Sequence, residues 1–329
     1  MLWTQEQLEA ADFTVDTFSL RTSQAELLQC AFFELDRESD IFSDNFGDEA
    51  AAAAEEEEGR AGASGLAGTK RSSSEESLDT ALEDTIVVYM HTNAANLAQA
   101  KEVLPLCRRL SCSLLCYDLR GHGRSEGSEG IADLATNLLD LERVMDWARS
   151  KAKRAILWCR GLSTCVGVTY VQKQLRMEVS VNKTLGLRSF IRFESPVKYL
   201  VLDSPFISVE RVLKDAIDRT HAAEYEWVPK NIFGLVARFF RRSIRKRARG
   251  MDPFDIKPVK QVPQLTIPAT FLLPTNDDFI PPFHGTDMAA MYGGPVMAKI
   301  FEGTHYTPRT RDTVLGLVWH IHSHIDGSD

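Results

Sequence analysis

Short apolar runs alternate with amphipathic segments along most of the chain from Thr85 onwards. Each apolar run is a few residues long, and most are rich in β-branched or aromatic residues, as strands are. The runs are TIVVYM, SCSLLCYD, AILWC, VKYLVLDSPF, IPATFLLPT and AKIFEG, and helices are predicted over AANLAQAKEVLPLCRRL, residues 131–150 and DTVLGLVWHIHSHI. Buried strands that alternate with helices are joined by parallel crossovers. The pattern therefore predicts an α/β fold with a mostly parallel, doubly wound sheet.

Two segments before Thr85 depart from this alternation. Residues 1–35 contain DFTVDTFSL and ELLQCAFFEL, separated by the polar RTSQA, which predicts a strand hairpin at a sheet edge. Residues 36–84 are rich in Asp, Glu, Ala, Gly and Ser and poor in large apolar residues. Such a composition is typical of a disordered acidic insertion. Residues 85–329 are then expected to form the core of the protein.

Two stretches interrupt the predicted core. Residues 172–196 show only weak periodicity, which favours an extra hairpin or loop after the helix that follows AILWC. Residues 207–262 contain helical segments and predict a cap, including NIFGLVARFFRRSIRKRARG with its dense basic run. One interpretation of this run is a cap helix with solvated charges. The other is peripheral contact with an anionic membrane surface through Phe239, Arg241, Arg242, Arg245, Lys246 and Arg247.

The overall composition limits the classes of function. The 329 residues are 44% hydrophobic, which is enough for a sizeable core, and the net charge of −8 argues against nucleic-acid binding. The first residues lack a secretory signal pattern, and no apolar stretch approaches membrane-spanning length, so we expect a cytoplasmic protein. The six cysteines include no C-x-x-C pair. We therefore expect buried free thiols, no metal site and no cofactor.

An acid and a histidine each follow a predicted strand near the end of the chain. Asp277 lies in the loop after ATFLL, and His305 lies just beyond KIFEG. A histidine that is oriented by a carboxylate can exchange a proton with a nucleophile. The order of a nucleophile, then an acid, then a histidine is the order that serine hydrolases of the strand–elbow–helix type require. Asp277 and His305 are therefore candidate catalytic residues.

The stretch AILWCRGLSTCVG, residues 155–167, has the outline of a strand, a sharp turn and a helix. If the strand runs to Leu162, the turn reads G-x-S-x-small and supplies Ser163 as the nucleophile. If the strand ends two residues earlier, Gly161 lies at the apex and carries no nucleophile. Both alternatives place small residues on either side of the turn. The backbone donors of an oxyanion hole would come from Thr92 and Asn93 after the first core strand, and from Leu162 in the turn.

The sequence resembles the α/β-hydrolase superfamily, and within it the serine-aminopeptidase-like proteins of plants and protists. The resemblance rests on VVYMHTNAAN, CYDLRGHGRSEG, VLDSPF, RRSIRKRA, FDIKPVK, NDDFIPP and FEGTHYTPR. It implies the α/β-hydrolase fold with a helical cap, and hydrolysis of ester, thioester or amide bonds in a small acyl substrate. The family's elbow, L-W-G-R-S-M-G-A, aligns without a gap to LWCRGLST and puts Gly161 at the nucleophile position. The prediction is therefore a hydrolase relative with reduced or lost activity and a binding or scaffold role for an unknown protein partner. The alternative is an active serine hydrolase that uses Ser163, His305 and Asp277.

Overall fold

Eight strands form one sheet in the structure, a computed structural model that describes residues 13–35, 82, 84–127, 134–185, 194–247 and 252–326. The order across the sheet is β1-β2-β4-β3-β5-β6-β7-β8. The strands are β1 Phe13–Arg21, β2 Leu27–Leu35, β3 Thr85–Met90, β4 Ser113–Tyr117, β5 Arg154–Arg160, β6 Val197–Asp203, β7 Ala269–Pro274 and β8 Val296–Phe301. Strands β3 to β8 pair in parallel, whereas β1–β2 and β2–β4 are antiparallel. The predicted mostly parallel α/β sheet is confirmed.

Helices cover both faces of the sheet. They are α1 Leu104–Arg109 with a preceding 3₁₀ turn at Leu97–Val103, α2 Leu134–Arg149, α3 Ser163–Leu185, α4 Val209–Glu224, α5 Lys230–Arg247, α6 Pro282–Ala290, α7 Arg311–Leu315 and α8 Val318–Ile325. Three short 3₁₀ turns lie at Pro253–Asp255, Pro258–Lys260 and Val262–Gln264. Among the described residues, no helix is both long enough and apolar enough to cross a bilayer.

The alternation of side chains along β5 shows why the sheet needs cover on both faces. Leu157 and Cys159 pack in one apolar cluster, with residues of α2, α3 and α6. Ile156 and Trp158 pack in a second cluster, with α1, α7 and α8. Successive residues of a strand point to opposite faces, so a strand that is apolar throughout is buried on both sides. All six cysteines are buried free thiols, as predicted.

The segment after the start of α3 differs from its prediction as a hairpin or loop. Residues 172–185 continue α3, which reaches 23 residues, and residues 186–193 lie outside the described residues. The buried residues Val168, Tyr170, Val171 and Gln174 lie along this helix. The weak periodicity of the sequence has a simple cause: none of the described side chains of α3 beyond Leu175 is buried, so its last turns need no apolar face. Most of the predicted acidic insertion, residues 36–84, lies outside the described residues as well.

Two helices, α4 and α5, lie within the predicted cap segment. The Nη2 atom of Arg219 on α4 donates to the carbonyl of Asp278 at 2.6 Å. Asp215, also on α4, lies 3.2 Å from the buried imidazole of His284 on α6. These contacts hold α4 against the loop that follows β7, next to the candidate acid Asp277.

Candidate active site

The turn between β5 and α3 has Gly161 at its apex. The strand ends at Arg160 and the helix begins at Ser163, so the strand does not run to Leu162. Gly161 has a φ of +59°, in the left-handed region that glycine enters without a Cβ penalty. Its N–H donates to the carbonyl of Asp203 at 2.8 Å, and its carbonyl accepts from the Thr164 hydroxyl at 2.7 Å. The ungapped alignment of this turn is therefore the one that the backbone follows.

Asp277 and His305 lie together at the carboxyl ends of β7 and β8. The Nδ1 atom of His305 lies 2.8 Å from Oδ2 of Asp277, and both residues are buried. The other oxygen, Oδ1, accepts the backbone N–H groups of Phe279 at 3.0 Å and Ile280 at 2.6 Å. Since a carboxylate only accepts, Nδ1 of His305 carries the proton and Nε2 is left facing the turn at Gly161. The pair has the geometry of an oriented general base.

Thr92 fills the space beside Nε2 of His305. Its hydroxyl oxygen lies 3.4 Å from that nitrogen, and the residue is buried. A Cβ atom built on Gly161 would lie 3.2 Å from the same nitrogen, but only 2.5 Å from the Thr92 hydroxyl oxygen. A side chain at residue 161 would therefore face the imidazole of His305. The hydroxyl of Thr92 occupies the space that such a side chain would need.

Ser163 is directed elsewhere. Its hydroxyl donates to the carbonyl of His91 at 2.7 Å, and the residue is buried in the first turn of α3. Within the described ranges, no hydrogen bond joins Ser163 to His305. The structure thus brings together Asp277, His305, Thr92 and Gly161, and it leaves Ser163 out of that group.

The loop after β3 is held by its own side chains. His91 donates from Nδ1 to the carbonyl of Thr92 at 2.8 Å and accepts the N–H of Leu119 on Nε2 at 2.9 Å. This pattern requires a neutral imidazole, and burial lowers the pKa of His91 from 6.5 to about 4. The N–H of Thr92 donates to Oε1 of Gln99 at 3.0 Å, so it is already engaged.

The remaining oxyanion-hole candidates, Asn93 and Leu162, border a small cavity. Its volume is about 10 Å³, and its lining includes Ser163 and His122. A cavity of this size holds about one water molecule. A larger space of about 290 Å³ is lined by Leu134, Cys165, Thr169 and residues 255–258, 260 and 261, away from Asp277 and His305. Neither cavity joins the imidazole to a space of substrate size.

A buried ionic cluster lies beneath His305, and sequence reasoning did not find it. Oδ1 of Asp203, at the end of β6, accepts from Nη2 of Arg309 at 2.6 Å. Nη1 of Arg160, at the end of β5, donates to Oε1 of Glu102 at 2.5 Å, and Oε2 of Glu102 accepts the N–H of Arg309 at 2.8 Å. A signal for it was available in the sequence, because Arg160 and Asp203 are charged residues that directly follow the apolar runs AILWC and YLVL.

This cluster holds the loop that carries the histidine. Nη2 of Arg160 donates to the carbonyls of His305 and Thr307, each at 2.9 Å. Burial raises the pKa of Glu102 above its ordinary value. Burial would also raise the pKa of Asp203, but the charges of Arg309 and Arg160 outweigh it and hold that pKa below its ordinary value. The position of His305 is thus set by both Asp277 and Arg160.

Burial also makes Cys159 and Cys165, the two cysteines near the elbow, unsuitable as nucleophiles. It raises the pKa of Cys165 to about 12 and that of Cys159 higher still, so neither thiol ionises near neutral pH. Among the described residues, no group of three or more His, Cys, Asp or Glu side chains is arranged to hold a metal ion.

No model of a known protein family and no curated protein sequence matches this chain. Solved structures do match its fold. The Pyrococcus furiosus esterase Pf2001 matches with a TM-score of 0.54 at 11% identity, over 99% of this chain and 96% of that one. A putative hydrolase from Agrobacterium vitis S4 matches with a TM-score of 0.52 at 15% identity, over 95% and 99% of the two chains. Mouse alpha/beta hydrolase domain-containing protein 10 matches with a TM-score of 0.54 at 13% identity, over 95% and 100%. At these identities the likeness concerns the fold alone, and the chain has the α/β-hydrolase fold that its sequence predicts.

Proposed function

We propose that this chain is a serine-aminopeptidase-like relative of the α/β-hydrolases that has lost the serine mechanism and has a binding or scaffold role in the cytoplasm. The observation that carries the proposal is Gly161 at the apex of the elbow. A Cβ at this residue would lie 3.2 Å from Nε2 of His305, which is where the side chain of a nucleophile would begin. Glycine supplies no hydroxyl or thiol there, so the histidine has no elbow nucleophile to deprotonate.

Thr92 supports the same conclusion. Its hydroxyl lies within 2.5 Å of the position that a side chain at residue 161 would need. The position that commonly carries a small residue for close approach to an oxyanion is thus filled by a branched side chain. Two changes, at residues 92 and 161, complement each other sterically, because the larger side chain occupies the space that the smaller one leaves.

The alternative function is an active serine hydrolase in which Ser163 attacks an acyl carbon. It requires the Ser163 proton to pass to Nε2 of His305. That proton is donated to the carbonyl of His91 at 2.7 Å, and a carbonyl cannot act as the base. The retained pair of Asp277 and His305 does not favour this alternative either. Removing His305 would leave Oδ2 of the buried Asp277 carboxylate without its hydrogen-bond partner, so the pair has a structural reason to persist.

A reconstruction of the nucleophile tests the proposal. We expect the wild-type protein to remain unlabelled by a fluorophosphonate probe and to hydrolyse short aryl esters no faster than buffer. The double variant Gly161→Ser/Thr92→Gly places a hydroxyl against His305 and removes the clash at residue 92. We expect it to be labelled and to hydrolyse esters at least about a hundredfold faster than wild type, the range that general-base assistance supplies.

The matched control adds His305→Ala to the double variant and should return labelling and turnover to the wild-type level. Circular dichroism of each variant checks that the fold is intact. Labelling of the wild-type protein that disappears in Ser163→Ala would contradict the proposal and support the serine-hydrolase alternative.

A further inference from the structure

Four apolar side chains of the cap helix α5 are exposed to solvent. Leu235 and Phe239 lie one turn apart and are 59% and 73% exposed, and Ile232 and Val236 lie beside them, also exposed. Residues three and four positions apart share one side of a helix, so these four side chains form one stripe. An amphipathic helix on a soluble domain normally buries this stripe against the core. Here the stripe is left without a described partner.

The opposite side of α5 attaches the helix to the body of the protein. Nη1 of Arg241 donates to Oε1 of Glu210 at 3.0 Å, and its guanidinium lies 4.7 Å above the ring of Phe254. Arg245, one turn later, forms an ion pair with Asp252. Arg241 and Arg245 thus lie on the side of α5 that contacts the rest of the protein, away from the stripe that contains Leu235 and Phe239.

Basic residues extend the apolar stripe. Arg242 and Lys246 continue the spacing of Leu235 and Phe239 along the same side of the helix, and both are exposed. Within the described ranges, no carboxylate pairs with Arg238, Arg242 or Lys246. The helix contains seven basic residues and no acidic residue, although the side chain of Arg247 lies outside what the structure describes.

The charge of the rest of the chain does not oppose contact with an anionic surface. Residues 36–79 contain thirteen acidic and four basic residues, a net charge of −9, whereas the whole chain carries −8. The remaining residues together carry a net charge close to zero. Local basic clusters attract anionic headgroups even where the whole protein is acidic.

We propose that α5 lies in the plane of an anionic membrane surface and anchors the protein there peripherally. Leu235 and Phe239 enter the boundary between headgroups and acyl chains, and Arg242 and Lys246 reach the lipid phosphates through their aliphatic stems. Trp227, 82% exposed just before the helix, adds an aromatic side chain of the kind that favours the interface. A lipid surface fits this combination because it accepts an apolar stripe and an adjacent row of cations together. This inference is independent of whether the elbow is catalytic.

The test is co-sedimentation of the full-length protein with phosphatidylcholine vesicles, with and without phosphatidylserine. We expect binding only to the vesicles with phosphatidylserine, and weaker binding at high salt because the cations are screened. The substitutions Leu235→Glu/Phe239→Glu and, separately, Arg242→Glu/Lys246→Glu should each weaken binding at least about tenfold. The matched control, Val179→Glu/Trp319→Glu, changes two residues of similar exposure, 70% and 69%, on other helices and should bind as wild type does.

Three results would overturn the proposal. One is a wild-type protein that does not sediment with the phosphatidylserine vesicles. Another is an equal loss of binding in the control variant. The third is self-association of the wild type in solution that Leu235→Glu/Phe239→Glu removes while vesicle binding stays unchanged, which would assign the stripe to a second copy of the chain.

Discussion

At the scale of single residues, Gly161 and Thr92 determine what Nε2 of His305 faces. Gly161 lacks the atom that would meet His305, and Thr92 places a hydroxyl oxygen 3.4 Å from Nε2 instead. The threonine hydroxyl arises from the loop after β3 and not from the elbow. Two residues from different loops therefore define the space beside the imidazole.

His91, in the loop after β3, makes the stability of the fold depend on pH. Burial holds its pKa at about 4 in the folded protein, against 6.5 in the unfolded chain. Between these values the unfolded state binds a proton that the folded state does not, so stability falls as the pH falls from 6.5 to 4. At 1.36 kcal/mol for each pKa unit, His91 alone should lower the free energy of unfolding by roughly 3 kcal/mol over this interval.

Urea unfolding of the wild type and of His91→Asn at a series of pH values checks this expectation. Asparagine keeps a donor and an acceptor but does not titrate, so the variant should lose less stability on acidification than the wild type does. Burial also lowers the pKa values of His284 and His320, and the difference between the two proteins isolates His91 from them. Parallel stability curves would contradict the assignment.

At the scale of elements, the carboxyl ends of β5 and β6 hold the loops that complete the site. Arg160 is the last residue of β5 and Asp203 is the last residue of β6, and the two are paired in the register of the sheet. Through Arg160 the strand end is tied directly to the carbonyl of His305. The His305 loop is thus part of the buried ionic cluster of Arg160, Glu102, Asp203 and Arg309.

We expect Arg160→Met to lower the free energy of unfolding by about 3–5 kcal/mol, because it leaves Glu102 and Asp203 with less compensation for their burial. Chemical denaturation gives this value directly. The control is Lys153→Met, which breaks the exposed pair of Lys153 and Asp84 and should cost less than about 1 kcal/mol. Equal losses in the two variants would show that the buried cluster does not stabilise the loop.

At the scale of the whole molecule, the edge hairpin and the acidic segment after it contribute differently to the stability of the fold. Strand β2 pairs with β4 through Cys30 to Phe33, and Leu28, Ala31 and Phe33 are fully buried. The following residues, from 36 to 81, lie outside the described structure and are mostly small or acidic. The hairpin is therefore part of the core. The composition of the acidic segment predicts that this segment is not part of the core.

Replacing residues 37–79 by a short Gly/Ser linker should change the free energy of unfolding by no more than about 1 kcal/mol. Loop-closure entropy varies only with the logarithm of loop length, at about 0.6 kcal/mol for each doubling. Thermal unfolding followed by circular dichroism measures the change. Deletion of residues 13–35 is the comparison and should abolish cooperative unfolding, since it exposes β4. A linker variant that unfolds as the hairpin deletion does would refute the expectation.

Much of this architecture could be predicted from local pattern. The apolar runs located all eight strands to within a few residues, and β3 to β7 were clearest because strands buried on both faces are apolar along almost their whole length. Asp277 and His305 were found because each follows a predicted strand, and the carboxyl ends of parallel strands meet at one edge of the sheet. The ionic cluster of Arg160, Glu102, Asp203 and Arg309 was missed because its members are far apart in the chain and no local pattern joins them.

The sequence by itself determined the α/β class, the order of the strands along the chain and the positions of the acid and the histidine. Only the tertiary structure decided which residue forms the apex of the elbow. The letters LWCRGLST satisfy either alternative locally, but β5 pairs with β3 up to Cys159 and with β6 up to Arg160, and this pairing ends the strand before Gly161. It also decided the orientation of α5, in which Arg241 pairs with Glu210, 31 residues away, while Leu235 and Phe239 are exposed. Both decisions depend on contacts between residues far apart in sequence, which a local pattern of apolar and polar positions does not encode.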